Sequence, residues 1–183
     1  MRKLFTLIAM SALVLGVATS AHALGIKKGL KLGVGTSYVD TPSGLEEADY
    51  SPWAVGGALV LELPVIKLEA DVLYRAYNGD ESRLGIPVLA KVSVLPLPLI
   101  SLEVGAGLEP RFVLNTEAPD DSYESTVWYL PVAVEGTFDL QVIKVGAEIR
   151  YEYQLTDFVK DTAFYKGEDF RHHQLMFYGG VFF

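Results

Sequence analysis

Charged side chains of both signs recur at alternate positions in several stretches of this 183-residue chain. Lys67, Glu69, Asp71 and Arg75 form the clearest series. In an extended strand, residues two apart point to the same face, so such a series would set acids and bases side by side. The chemistry open to this arrangement is ion pairing, or the passage of a proton or a small ion along the row.

The same spacing predicts one network of thirteen charged residues. They are Lys67, Glu69, Asp71, Arg75, Lys91, Glu103, Glu109, Arg111, Glu135, Lys144, Glu148, Arg150 and Glu152. Lys31, Glu62 and Arg83 occupy equivalent positions, which brings the count to eight cations and eight anions. Because an unpaired charge is very costly to bury, this balance is typical of an enclosed interior.

Two adjacent histidines, His172 and His173, are the candidates for acid–base catalysis. Adjacent residues of a strand face opposite sides, so the two imidazoles could not readily bind one metal ion together. The acidic residues elsewhere show no fixed ligand spacing. The sequence therefore predicts no metal site and no cofactor, and it leaves catalysis by a histidine as an alternative.

The charged positions belong to eight segments that alternate apolar and polar residues, which is the period of a β-strand. The segments run over 26–38, 53–63, 65–77, 83–95, 99–114, 127–138, 142–154 and 173–183. Short turns near 63–64, 95–98 and 139 alternate with longer, mostly acidic loops over 39–52, 78–82, 115–126 and 155–172. This alternation of short and long connections predicts an all-β fold, an eight-stranded antiparallel up-and-down transmembrane β-barrel.

The N-terminus has the pattern of an export signal. Arg2 and Lys3 precede the apolar stretch 4–18, and Ala21-His22-Ala23 fits a cleavage site. We therefore expect residues 1–23 to be a cleaved signal peptide and residues 24–183 to form the barrel domain. The chain has no cysteine and a formal net charge of −8, so the sequence predicts neither disulfides nor nucleic-acid binding.

Alternation alone does not say which face points outward. With the apolar face inside, the chain would be a water-soluble, lipocalin-like cup for an apolar ligand. With that face outside, it would be a membrane barrel. The balanced charges favour the membrane barrel, and so does the bulk of the apolar face, which would overfill the narrow interior of an eight-stranded barrel.

Aromatic residues collect where the strands meet the long loops. They are Tyr38, Trp53, Tyr74, Phe112, Trp128, Tyr151 and Tyr153. Rings with an apolar body and a polar edge suit the headgroup region of a bilayer, so this set predicts an aromatic girdle.

The last segment carries a more specific pattern, because Phe177, Val181 and Phe183 share one parity and Phe183 is terminal. Together with the export signal and the eight amphipathic segments, this resembles the small eight-stranded outer-membrane β-barrels of Gram-negative bacteria, of the OmpA transmembrane-domain and OmpX type. The resemblance implies that the barrel-assembly machinery reads this strand. It also implies a monomer in the outer membrane whose partners are lipid and lipopolysaccharide. Some barrel enzymes that trim lipid A use a histidine and a serine near the outer interface, but no serine follows His173 at the matching distance.

Three prolines, Pro87, Pro110 and Pro131, lie inside the fourth, fifth and sixth segments at similar heights. Proline cannot donate to a ladder that is paired on both sides, so we expect bulges or missing bonds there. A barrel enzyme that acylates lipid A is similar in having proline-flanked gaps through which lipid enters. The prolines therefore suggest a lateral opening, beside the plainer interpretation of local irregularities.

These features predict a non-enzymatic integral outer-membrane barrel with acidic surface loops, which supports envelope integrity or makes surface contacts. Two alternatives stay open from the sequence, a lipid-modifying barrel enzyme and a narrow ion conduit. A wide porin channel is not expected, because eight strands leave too little room for one.

Overall fold

The computed structural model describes residues 25–41, 44–47, 51–77, 81–97, 99–115, 125–156 and 171–183. The predicted signal peptide, residues 1–23, lies outside the described residues, and so does most of the acidic sequence of the long loops. The predictions made for those segments stay predictions.

The described residues form ten β-strands in antiparallel pairs. They are β1 (Ile26–Thr41), β2 (Gly44–Glu47), β3 (Trp53–Glu62), β4 (Lys67–Ala76), β5 (Ser82–Gly85), β6 (Val88–Pro96), β7 (Ile100–Asn115), β8 (Thr126–Asp139), β9 (Lys144–Gln154) and β10 (Arg171–Phe182). No helix in this part of the chain is both long and apolar enough to cross a membrane.

These ten strands make an eight-stranded wall. Strands β5 and β6 succeed one another along a single position of the wall, with β4 on one side and β7 on the other. Strand β2 is short and pairs only with the loop end of β1 among the described strands. The predicted eight-stranded antiparallel architecture is therefore confirmed.

The wall is closed by its first and last strands. β1 pairs with β3 on one side and with β10 on the other, in a register that runs from Gly29 opposite Phe182 to Asp40 opposite Arg171. Closure leaves neither edge of the sheet unpaired. A barrel in a bilayer needs this, because no water is present there to hydrogen-bond the backbone groups of an open edge.

The distribution of side chains is inverted with respect to a water-soluble protein. Ile149 is 49% exposed, whereas the neighbouring Arg150 is 0% exposed. Leucine, isoleucine and valine side chains dominate the exposed exterior of the strands, and the largest fully buried side chains include three arginines. The apolar face therefore points outward and the charged face points inward, as a membrane barrel requires.

Beyond shifts of a few residues at strand ends, the strands differ from the sequence-based expectation in two places. Strand β2 was not expected, because residues 44–47 lack a sustained alternation of apolar and polar side chains. The fourth segment is interrupted at Ile86 and Pro87, since proline has no N–H to contribute to the ladder. The register on both sides of this interruption is unchanged, so the chain passes through it without a bulge.

Candidate functional site: the charged lumen

All thirteen residues predicted to form the charged network lie inside the barrel. Eleven of them are buried, and Lys67 and Lys144, near the short turns, are half-buried. Antiparallel pairing places the inward residues of neighbouring strands at matching heights. The charges consequently form three groups along the bore: a loop-end tier, a middle tier and a turn-end tier.

The loop-end tier consists of Arg75, Glu109, Arg111 and Glu152, all fully buried. Arg75 donates to Glu109 Oε1 from Nε at 3.0 Å and to Glu152 Oε1 from Nη2 at 2.8 Å. Arg111 donates to Glu109 Oε1 from Nε at 2.8 Å and also contacts Glu152. Two cations thus meet two anions through several charge-assisted hydrogen bonds, the geometry that makes burial of such ions tolerable.

Neutral side chains surround this tier. Tyr129 lies under the Arg111 guanidinium, with 3.7 Å between the guanidinium carbon and the ring centroid. Gln174 Oε1 accepts a hydrogen bond from Arg111 Nη1 at 2.7 Å, and the Tyr178 hydroxyl donates to Glu152 Oε1 at 3.3 Å. The sequence analysis did not include these three residues in the network. The alternation along each strand does place all three residues on the inward face.

The middle tier contains three cations and four anions, all buried. They are Lys31, Lys91, Arg150, Glu69, Asp71, Glu135 and Glu148. They come from five of the eight wall positions, and most of their ion pairs link strands that are not neighbours in the sheet.

Lys91 is the centre of the middle tier. Its Nζ donates to Glu69 Oε2 at 2.9 Å, Glu135 Oε2 at 2.8 Å and Glu148 Oε2 at 2.7 Å. All three N–H groups of the ammonium are therefore used, which is the full donor capacity of a lysine. On the other side of the tier, Arg150 Nη2 donates to Asp71 Oδ2 at 2.9 Å.

Glu69, Glu135 and Glu148 each offer one carboxylate oxygen within 4.8 Å of the others. Carboxylate oxygens grouped in this way are the ligands that hard divalent cations prefer. The Lys91 ammonium stands in contact with all three carboxylates. The chain's own cation thus occupies the position that a metal ion would take.

The turn-end tier is more open. Glu62 Oε1 accepts hydrogen bonds from Lys27 Nζ at 3.1 Å and Lys144 Nζ at 3.0 Å, and Lys67 pairs with Glu103. A cavity of about 10 Å³, roughly the room of one water molecule, lies beside these groups. Lys27 belongs to this tier although the sequence analysis did not name it.

The three tiers together fill the bore and link its wall. Their acids and bases pair with one another across the lumen, and most of these pairs link strands that are not neighbours in the sheet. This arrangement stabilises one register of the barrel and leaves little room for a solute to pass.

The two histidines do not face one another. His173 lies on the outward face of β10, where its ring packs 4.7 Å from the Tyr153 ring and 6.1 Å from the Tyr151 ring, measured between centroids. His172 is half-buried on the inward parity, and its backbone N–H donates to Gln154 Oε1 at 3.0 Å. Only 4% of His173 is exposed, so this imidazole has little access to a substrate.

The predicted girdle residues lie on the outward face at the loop ends of the strands. Trp53, Phe112, Trp128 and Tyr151 are exposed, while Tyr38, Tyr74 and Tyr153 are half-buried. The register sets Tyr38 and Tyr153 on either side of His173, and Trp53 packs 5.8 Å from Tyr74 between ring centroids. The rings therefore form a row around one end of the barrel.

The three prolines interrupt the ladders without shifting them. Between β7 and β8, residues 107–108 are not paired with residues 130–131, a range that includes Pro131. The register on either side of this gap is the same. The Pro110 and Pro87 carbonyls accept hydrogen bonds from Ile86 N at 3.0 Å and Asp71 N at 2.9 Å. Missing pairs are thus present near the prolines, and bulges are not. A lateral opening at these residues stays a prediction.

The terminal strand separates its aromatic residues between the two faces. Phe177, Val181 and Phe183 are exposed on the outside, and Phe182 is buried in the lumen. The three residues predicted to form the assembly signal therefore lie on one accessible face.

No protein-family model matches the chain, and no curated protein matches it either. Several solved structures do match. Neisserial surface protein A superposes with a TM-score of 0.57 at 13% identity, over 85% of this chain and 95% of that one. The outer membrane enzyme PagL superposes with a TM-score of 0.57 at 11% identity, over 83% of this chain and 97% of that one. Ail, the attachment invasion locus protein of Yersinia pestis, gives a TM-score of 0.45 at 15% identity, over 86% of this chain and 98% of that one.

At these identities the likeness concerns the fold, and it extends to a surface protein and to an enzyme alike. The chain closes through β1 and β10 and has an apolar exterior and an ionic lumen. The protein has the fold of the small eight-stranded outer-membrane β-barrels.

Proposed function

We propose that this protein is an integral barrel of the Gram-negative outer membrane that acts without enzymatic chemistry and without an open pore. In this role it adds a rigid, lipid-embedded element to the envelope and presents its acidic loops for contacts at the cell surface. The observation that carries the proposal is the combination of an apolar exterior with a lumen filled by paired charges.

Two physical consequences support this role over the alternatives. Fully buried arginines, paired with carboxylates, occupy the loop-end and middle tiers, so a solute would have to break several charge-assisted hydrogen bonds to pass. The outward histidine is packed between tyrosine rings, which suits a positioning role better than proton transfer to a substrate. A narrow conduit and a lipid-modifying enzyme are therefore the less favoured functions.

A pair of valine-to-arginine variants tests the membrane location. Val134 is 44% exposed at mid-height on the exterior of β8, and Val142 is 85% exposed in the turn between β8 and β9. In a bilayer, an arginine facing the mid-plane costs about 2–4 kcal/mol, and near an interface about 0–1 kcal/mol. We expect Val134→Arg to lower the free energy of unfolding in lipid vesicles by the larger amount and Val142→Arg to change it little. Equal, small effects of the two substitutions would contradict the proposed membrane location.

Cell fractionation supplies the second measurement. We expect the full chain to appear in the outer-membrane fraction and to migrate anomalously on gels until it is boiled. Deletion of the gene should leave the structure of lipid A unchanged. A changed lipid A would favour the enzyme, and a soluble periplasmic protein with unaltered mobility would exclude the membrane barrel.

A further inference from the structure

The middle tier of the lumen carries unequal numbers of acids and bases. Its four carboxyl groups face only three cations, so with every group ionised the tier would hold one negative charge in excess. Within the described part of the chain, no salt bridge joins this tier to the loop-end tier or to the turn-end tier. A surplus charge in a buried cluster is costly, and a further cation or a proton would remove it.

The four carboxyl groups do not share the cations equally. Glu148 accepts hydrogen bonds from all three cations of the tier, and both oxygens of Glu69 accept them as well. Asp71 Oδ2 accepts from Arg150 Nη2 at 2.9 Å and lies 3.6 Å from Lys31 Nζ. Asp71 Oδ1 has no hydrogen-bond partner among the described residues, although the side chain is 0% exposed. This oxygen is therefore poorly suited to carry a negative charge.

The strands beside Asp71 offer it no further donor. Ala58 of β3 lies opposite Asp71, and on the other side the Pro87 carbonyl accepts a hydrogen bond from Asp71 N at 2.9 Å. The titratable side chains that share this level of the lumen are Lys31 of β1, Glu69 of β4, Lys91 of β6, Glu135 of β8, Glu148 and Arg150 of β9, and Tyr178 of β10. The cations among them already bind the other carboxylates, so none can move to Asp71 Oδ1 without a loss elsewhere.

Glu135 is the other acid of the tier that pairs with a single cation, Lys91. It differs from Asp71 in its access to water, because it lines the cavity of about 10 Å³ beside the turn-end tier. That cavity has roughly the room of one water molecule, and Asp71 is not among its lining residues. A carboxylate that can be hydrated keeps its charge more easily than one that cannot, so the surplus charge is best removed at Asp71.

We propose that the middle tier binds one proton, on Asp71, so that this side chain is a neutral carboxylic acid in the folded barrel at neutral pH. The neutral acid leaves three cations facing three carboxylates. Its Oδ2 still accepts the hydrogen bond from Arg150, and Oδ1 carries the proton. The inference concerns the lumen alone and does not depend on the role proposed at the cell surface.

Infrared spectroscopy of the intact barrel in detergent tests the proposal, because the carbonyl stretch of a protonated carboxyl group is separate from the bands of ionised carboxylates. At neutral pH we expect an acid band that shifts when the aspartate carboxyls are labelled with carbon-13 and stays in place when the glutamate carboxyls are labelled. Asp71→Asn should abolish this band, and Glu135→Gln should leave it unchanged. The labelling needs no substitution, so it decides the matter even if a variant fails to assemble.

The pH dependence of unfolding measures the same proton independently. An aspartate in the unfolded chain is ionised above about pH 5, so unfolding would release the proton held by Asp71. The folded group keeps its proton to higher pH than the unfolded group does, and the protein therefore loses stability as the pH rises. Between about pH 6 and pH 8, the unfolding constant of the unchanged protein should rise about tenfold more per pH unit than that of Asp71→Asn.

Two acid-to-amide variants should consequently have opposite effects at neutral pH. Asp71→Asn keeps the shape of the neutral acid and needs no proton, so it should be more stable than the unchanged protein, and the two should approach each other near about pH 4. Glu148→Gln removes an ion that binds all three cations of the tier, so it should raise the unfolding constant at least about a hundredfold. Each variant is first checked for the heat-dependent gel mobility of an intact barrel.

Three results would overturn the proposal: the absence of an aspartic acid band at neutral pH, persistence of that band in Asp71→Asn, or the same pH dependence of unfolding in the unchanged protein and in Asp71→Asn. Titration with sodium and potassium chloride at constant pH distinguishes the remaining alternative. A stability that rises with one of these salts, without an acid band, would mean that the tier binds a monovalent cation in place of the proton.

Discussion

At the scale of single residues, the loop-end and middle tiers of the lumen depend on charges that are buried. Lys91 is the extreme case, because its ammonium is the common partner of three buried carboxylates on three other strands. Loss of one member of a buried ionic cluster costs far more than loss of a surface pair, since the remaining charges stay buried without compensation.

Lys91→Met keeps the length of the side chain and removes its charge. We expect the free energy of unfolding in detergent to fall by about 3–5 kcal/mol, because Glu69, Glu135 and Glu148 then repel one another. Urea titration followed by tryptophan fluorescence measures this change. Calcium ions should recover part of the loss in the variant, since the three carboxylate oxygens lie within 4.8 Å of each other.

The matched control is Lys27→Met at the turn-end rim, where the lysine is partly exposed and pairs with Glu62. A partly exposed pair contributes at most about 1 kcal/mol, so this variant should remain close to the unchanged protein. If the two substitutions had similar effects, the middle tier would not be a dry, tightly paired cluster.

At the scale of strands, the last strand presents aromatic residues on both of its faces. Phe182 is 4% exposed and packs inside the lumen, and Phe183 is 59% exposed on the outside. If the assembly machinery reads the outward residues, Phe183 contributes to assembly of the barrel and Phe182 contributes to the stability of the folded state.

Phe183→Ala should therefore reduce the amount of assembled barrel in cells while changing the stability of refolded protein by less than about 1 kcal/mol. Phe182→Ala should do the opposite and lower the free energy of unfolding by about 3–5 kcal/mol, as truncation of a buried aromatic residue does. Densitometry of unboiled envelope samples measures assembly, and urea titration in detergent measures stability. A loss of stability in Phe183→Ala equal to that in Phe182→Ala would show that the outward ring has no separate role in assembly.

The elements themselves were largely predictable, because alternation of apolar and polar residues is the direct signature of a strand with two unlike faces. The start of the last strand at Arg171 was less predictable, because the polar residues there weaken the alternation of apolar and polar side chains. The pairing of β2 with β1 was not predictable either, because it depends on a backbone extension beyond the apolar band. The register across Pro87 is set by β4 and β7, not by the residues next to the proline.

The sequence predicts which charged residues line the lumen, but it does not predict which of them contact one another. Parity and charge balance identify which ions point inward, but they do not say which acid meets which base, because that depends on the stagger of the closed sheet. Charge balance did not identify neutral members of the network such as Tyr129 and Gln174, because uncharged side chains do not require a partner of opposite sign.

At the scale of the whole molecule, the three tiers lie one behind another along a single bore. Any ion that crosses must pass all of them, and each tier is closed by its own salt bridges. Loss of one tier consequently leaves two barriers in place. This property separates a barrel plugged along its length from a channel with a single gate.

Planar bilayer recordings can distinguish these two designs. We expect the unchanged protein to give no discrete conductance steps. The neutral quadruple variant Arg75→Ala, Glu109→Ala, Arg111→Ala and Glu152→Ala, which removes the loop-end tier without changing the net charge, should also stay silent. Its control replaces the same residues by Met, Gln, Met and Gln, so that the tier loses its charges but keeps most of its volume. Steps from the unchanged protein would make it a conduit, and steps from the alanine variant alone would mean that the loop-end tier is the gate and the other two tiers are permeable.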